Sequence, residues 1–189
     1  MKILITTLYR GDVNPIVMYK IGADKVAFVL DLERVKKDAI DNIKDKFDKL
    51  TKIDIIKIQQ FDVPKITEEI LKYANKNKDA EFIFHASEGR KTMFLGCLYA
   101  ASMLKAKCYY LREDNSEMYS VPLFNLHLNK TKIDILKALS DGITSKVKLA
   151  KHIHKHRSLI YNHLSDLNKG GFIDEKHNLT ETGRIVMMG

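Results

Sequence analysis

Residues 81–111 read E-F-I-F-H-A-S-E-G-R-K-T-M-F-L-G-C-L-Y-A-A-S-M-L-K-A-K-C-Y-Y-L. The opening Glu81–His85 is short, aromatic and β-branched, and reads as a strand. A polar turn, H-A-S-E-G-R-K-T, leads into Lys91–Leu104, the most apolar helical stretch of the chain. Residues 106–111 (A-K-C-Y-Y-L) read as a second strand. A strand, a helix and a strand in this order form a crossover unit, which places the two strands parallel and makes the connection right-handed. Near-continuous apolar strands suit a sheet covered on both faces.

The pattern extends toward the amino terminus. Lys2–Thr7 (K-I-L-I-T-T), Lys25–Leu30 (K-V-A-F-V-L) and residues 53–58 (I-D-I-I-K-I) are further strand candidates. Between them, Val35, Ala39, Ile43, Phe47 and Leu50 recur at helical spacing over residues 33–50. Ile66, Ile70, Leu71 and Ala74 do the same over 64–77, where Pro64 suits a first helical turn. Residues 119–124 (Y-S-V-P-L-F) predict an edge strand, because Pro122 lacks the donor that a central strand needs. Such a mostly parallel sheet binds ligands beyond the carboxyl ends of its strands, where the strand order reverses. Two loops qualify: residues 6–14 (T-T-L-Y-R-G-D-V-N) and residues 87–92 (S-E-G-R-K-T).

Composition narrows the class. The 189 residues are 45% hydrophobic and 30% charged, enough for an ordinary core and one or two domains. No stretch approaches the roughly 20 apolar residues of a bilayer crossing, and the first apolar run is too short for a signal peptide. A soluble chain in the cytoplasm, without membrane contact, is the expectation. Cys97 and Cys108 sit in apolar surroundings and read as small core residues. Net charge is +8, and residues 125–189 hold 11 Lys or Arg against 6 Asp or Glu. Six of the seven histidines lie there too. That asymmetry points the tail at a polyanion, although a lysine- and isoleucine-rich genome would produce the same excess.

The texture changes at residues 123–130, which sets the expected domains at 1–124 and 125–189. Residues 131–139 predict a helix with a threonine start, 147–153 a short second helix, and Arg157–Lys169 a third, stopped by Gly170 and Gly171. Residues 172–187 (F-I-D-E-K-H-N-L-T-E-T-G-R-I-V-M) read as a strand, a polar tip, a short return and a helical end. With Ile160, Leu164 and Leu167 turned inward, the third helix shows Arg157, Ser158, Tyr161 and Asn162 outward, with Lys155 and His156 in the turn before it. Arginine and asparagine can read base edges bidentately, while serine, lysine and tyrosine serve phosphates. Lys176 and His177 at the tip could reach the neighbouring groove. This segment resembles winged helix-turn-helix domains of the MarR/ArsR sort, through L-A-K-H-I, H-R-S-L-I-Y-N-H-L-S-D-L-N-K-G-G-F-I and L-T-E-T-G-R. The resemblance implies double-stranded DNA as partner; protein contact is the alternative use. No histidine pair has the spacing and companions of a metal site.

The loop before the third helix of the first part has anion chemistry of its own. Gly89 permits close backbone approach, Arg90 and Lys91 bring two cations to a helix start, and Ser87 and Thr92 offer hydroxyls. The spacing is neither that of a P-loop nor G-x-G-x-x-G, so no cofactor is expected. A solvated basic loop is the plain alternative.

Taken together, S-E-G-R-K-T-M at Ser87–Met93, the helix M-F-L-G-C-L-Y-A-A and the loop T-L-Y-R-G-D-V-N-P resemble the CARF domain, the CRISPR-associated Rossmann-like ligand-sensing fold. The implied fold class is α/β: a Rossmann-like, mostly parallel sheet with helices on both faces (CARF-like), followed by a small winged helix-turn-helix domain. A CARF domain joined to a winged helix is the layout of CRISPR-associated transcriptional regulators. The resemblance implies a cyclic oligoadenylate, most often cyclic tetra-adenylate, bound across the two-fold axis of a homodimer. By position, Ser87, Gly89, Arg90, Lys91 and Thr92 would hold phosphate and ribose. Thr7, Leu8, Tyr9, Arg10 and Gly11 would line the base and ring, with Tyr9 stacking on adenine. Gly96, Ala100 and Ala101 would allow close helix packing, at the dimer interface or inside one subunit. Glu88 departs from the pattern, standing where many members have a glycine; a carboxylate there needs Arg90 or Arg10 beside it. No nucleophile–base pair is visible, so no catalytic residue is assigned. Slow ring cleavage through Lys91, Arg90 and Thr7, or sensing of another small anion, are the alternative functions.

Overall fold

The computed structural model describes residues 1–8, 16–35, 37–47, 50–59, 61–112, 117–124 and 126–188, without the side chains of 37–39 and 44. The chain divides into two compact units, Met1–Asn125 and Leu126–Gly189.

In the first unit, β1 (Lys2–Thr7), β2 (Lys25–Leu30), β3 (Lys52–Lys57), β4 (Glu81–His85), β5 (Lys107–Leu111) and β6 (Met118–Ser120) form one sheet in the order β3-β2-β1-β4-β5-β6. All neighbours are parallel except β5 and β6. β6 is shorter than the sequence suggests and ends before Pro122, although the Val121 N–H still donates to the Cys108 carbonyl at 2.8 Å. The chain winds outward from β1 to β3 and then returns to lay β4 on the other side of β1. The order therefore reverses between β1 and β4.

Helices α1 (Ile16–Ile21) and α2 (Lys37–Phe47) cover one face, where Leu4, Val26, Phe28 and Ile83 of the strands meet Val17, Met18, Ile43 and Phe47. The sequence pattern missed α1, whose six residues are too few to show a period. It also overextended α2, which a turn at Leu32–Arg34 precedes. Helices α3 (Val63–Lys76) and α4 (Lys91–Leu104) pack on one another. The Asp62 carboxylate accepts from the Lys65 N–H at 2.9 Å, capping α3, whose proline sits in the first turn. Gly96 lies against α3: a Cβ there would collide with Ile66, and the Thr67 hydroxyl donates to the Gly96 carbonyl at 3.3 Å. Gly96, together with the fully buried Ala100 and Ala101, thus serves packing inside this unit. Cys97 and Cys108 are buried, and burial pushes the Cys108 thiol up to about 11, so both stay as apolar thiols.

The second unit contains α5 (Lys130–Ser140), α6 (Lys146–His152), α7 (Arg157–Lys169) and α8 (Glu181–Val186). Asn129, not a threonine, starts α5: its side chain accepts from the Lys132 N–H at 2.9 Å. Ile135, Leu136, Leu139, Leu149, Ile160, Leu164, Leu167 and Ile173 form the core, joining all but the last helix to the chain beyond α7. The expected wing strands reduce to a single antiparallel bridge, Ile173 with Leu179. Asp174 builds the tip between them, its carboxylate accepting from the Lys176 and Asn178 N–H groups at 2.9 and 2.8 Å. Thr180 then caps α8 by accepting from the Gly183 N–H at 3.1 Å. Gly183 has no alternative, since a Cβ would run into the Phe172 carbonyl.

Candidate ligand site and nucleic-acid interface

At the carboxyl edge of the sheet, the ends of β1 and β4 lie side by side, with Thr6 in register with His85. This is where an open parallel sheet offers a crevice. The loop after β4 closes onto β1 through two contacts. The Thr7 hydroxyl donates to the Glu88 carbonyl. Gly89, at φ +99°, comes so near that an added Cβ would stand 3.0 Å from the Thr7 Cβ and 3.4 Å from the Met93 sulfur. Glycine is required there both for its backbone conformation and for its size. On the other flank, Ser87 Oγ accepts a short hydrogen bond from the Leu111 N–H, tying the loop to β5.

α4 starts from this tethered loop with Arg90 as an extended N-cap residue and no side-chain cap. Its first-turn N–H groups and the positive end of the helix dipole therefore face the loop. Lys91 is exposed, while Ser87, Arg90 and Thr92 are half-buried. Arg90 is held in place: its guanidinium carbon lies 5.5 Å from the centre of the Phe61 ring. Arg34, at the turn after β2, lies 5.6 Å from the same ring centre. The residues Arg34 and Phe61 escaped the sequence analysis, where the only signal was an aromatic residue in the polar turn Q-Q-F-D.

Of the first-loop candidates, Thr7 and Leu8 are buried. Thr7 spends its hydroxyl on Glu88, and Leu8 belongs to the core beneath α1. Their contacts in this structure run to the neighbouring turn and to the core. Tyr9, Arg10 and Gly11 lie outside the described residues. Under the loop, the buried His85 pairs its Nδ1 with the Thr6 hydroxyl at 2.9 Å and, with Glu88, borders a cavity of about 10 Å³. Burial pulls the His85 imidazole down to about 4, so it is neutral at pH 7.

In the second unit, Lys155, His156, Arg157, Ser158, Tyr161, Asn162 and Lys176 are all exposed, and His177 is half-buried. The structure brings the first six to one end of α7. His156 precedes that helix and its Nδ1 pairs with Ser158 Oγ at 2.8 Å. The Lys146 ammonium of α6 sits 4.9 Å from the centre of the Tyr161 ring, adding a cation that the sequence analysis had not singled out. Lys132 and Asp166 form an ion pair at 2.9 Å that joins α5 to α7. Lys176 lies apart, at the Asp174 tip. Among the described residues, no group of three or more His, Cys, Asp or Glu could hold a metal ion, and no helix is long and apolar enough to cross a membrane.

Residues 129–175 match the family model described as bacterial regulatory protein, arsR family. No curated protein matches the chain in sequence. In fold, the chain is similar to Enterococcus italicus Csm6 bound to cyclic hexa-2'-fluoro-hexa-dAMP, with TM-score 0.52, 12% identity and 92% of this chain covered. It is also similar to protein VC1899 from Vibrio cholerae, with TM-score 0.50, 13% identity and 99% covered. Can2 from Sulfobacillus thermosulfidooxidans, in complex with cyclic tetra-adenylate, aligns over 98% of the chain at 13% identity and TM-score 0.48. The chain spans 55%, 64% and 57% of those three proteins, respectively. The first unit thus has a CARF-like fold, and an arsR-type helix-turn-helix segment follows it.

Proposed function

From a CARF-like sheet joined to an arsR-type helix-turn-helix segment, we propose a ligand-responsive, DNA-binding transcriptional regulator of the CRISPR-associated kind. One observation carries the reading. The chain that matches an arsR-type segment also tethers a cationic, uncapped helix start to β1 at the point where its sheet reverses order. The ligand is a cyclic oligoadenylate, with cyclic tetra-adenylate as the first choice. A ring of phosphodiesters suits cationic loops repeated about a two-fold axis, so the acting species is a homodimer. Lys91, Arg90 and the α4 N–H groups hold phosphate, and Ser87 and Thr92 contribute hydroxyls. Ring-bound adenines sit toward residues 9–11. The ring-containing Csm6 structure supports this choice of chemistry through its shared fold.

DNA lies on α7, with Arg157 and Asn162 at base edges and Lys155, Ser158 and Tyr161 at the backbone. The ligand acts by favouring one arrangement of the dimer over another.

Calorimetry with cyclic tetra-adenylate tests the sensing half. The wild-type chain is expected to bind at micromolar concentration or better, and Lys91→Ala to weaken binding by about tenfold, as befits a lost charge-assisted contact. Absence of binding by the wild-type chain to this ring and to cyclic hexa-adenylate would overturn the reading.

A further inference from the structure

Three residues on three separate loops meet at the carboxyl edge of the sheet. Arg34 follows β2, Phe61 precedes α3, and Arg90 precedes α4. Phe61 leaves 63% of its surface exposed, an unusual position for a large apolar ring. Both guanidinium carbons lie within 5.6 Å of its ring centre. Among the described residues no carboxylate forms an ion pair with Arg34. A cation over an aromatic face gains about 0.5–1 kcal/mol at an exposed site. Both guanidiniums flank one ring, and a planar guanidinium fork is shaped to take a phosphate.

We propose that Arg34, Phe61 and Arg90 form a phosphate clamp. Arg34 and Arg90 grip one phosphate-bearing segment of a ligand, and the Phe61 ring sets their spacing. The clamp rests on the reading of this edge as a nucleotide site and extends it from the β1/β4 crevice toward β2 and β3. Arg34 becomes a binding residue that neither loop motif contains. Phe61 is a positioning residue, since it acts through the two guanidiniums rather than on the phosphate. The ligand class is a phosphodiester or polyphosphate, and the ring nucleotide of the proposed function is one source of it.

The test is calorimetry on the full chain with two probes, cyclic tetra-adenylate and inorganic pyrophosphate, with melting temperature as a check on folding. Arg34→Gln is expected to weaken binding of whichever probe the wild-type chain takes by about tenfold, the loss of one charge-assisted contact. Phe61→Leu is expected to weaken it by a similar factor, and Phe61→Tyr to restore it, because only the latter keeps an aromatic face. In the double variant the two losses are expected to combine to less than their product. A ring that binds through Lys91 but ignores Arg34→Gln would sink the clamp and leave the proposed function standing. Arg34-dependent pyrophosphate binding without any ring binding would uphold the clamp and sink that function. If the wild-type chain binds neither probe, nor cyclic hexa-adenylate, both fail. Phe61→Leu matching Phe61→Tyr would remove the ring from the account.

Discussion

Gly89 shows how one residue without a side chain holds a functional edge together. Its φ of +99° is one that L side chains rarely adopt, and Thr7 stands where a Cβ would press. Replacing it with alanine forces either the backbone or the Thr7 contact to give. We expect Gly89→Ala to destabilise the chain by about 1–3 kcal/mol, the cost of a non-glycine residue in such a conformation. Because the strain falls on the loop leading into α4, ring binding is expected to weaken as well. Chemical denaturation and calorimetry on the variant check this; unchanged stability would mean that Thr7 and the Glu88 carbonyl do not clamp the turn. The glycine itself was legible in the sequence as a place of close approach. What it approaches was not, because Thr7 lies some eighty positions away and nothing local links the two. Leu8, just beyond β1, is buried with Leu4 in the core under α1, a depth that its sequence neighbours do not reveal.

Among the elements, long helices and buried strands were readable because their apolar residues repeat often enough to reveal a period. Glu81–His85, Lys91–Leu104 and Arg157–Lys169 have the bounds that their sequences predict. Short pieces were not: α1 has six residues, and the wing contracts to one bridge because Asp174 takes the tip's N–H groups into a local turn. Arg34 and Phe61 were missed for a related reason: the turns that carry them have no period, and their meeting with Arg90 depends on the order of the strands. For α7, the distinction between reading and holding DNA gives a prediction. Arg157→Ala is expected to cost about 1–3 kcal/mol on a duplex selected from a random pool by the full chain, and to relax preference at the base it contacts. Lys155→Ala is expected to weaken selected and unselected duplexes alike and to flatten the salt dependence by roughly one counterion. Filter binding at several salt concentrations separates the two. Identical effects of both variants on every duplex would mean that α7 holds phosphate only.

The whole molecule joins two chemistries that each unit could carry alone. Charge shows the division of labour: a net excess concentrated beyond residue 125 favours a polyanion generally, while the cations at the sheet edge are few and tethered. In the proposed account, a ligand affects DNA only if it binds one arrangement of the dimer better than another, and the effect cannot exceed that difference in affinity. The coupling is reciprocal, so DNA must shift ring affinity by the same factor. The decisive measurement is the dissociation constant for the selected duplex, taken with and without saturating cyclic tetra-adenylate. The account predicts a change of about tenfold in wild type, within the common range of such couplings, and about tenfold more ring needed to produce it in Lys91→Ala. An unaltered dissociation constant, with the ring demonstrably bound, would contradict it.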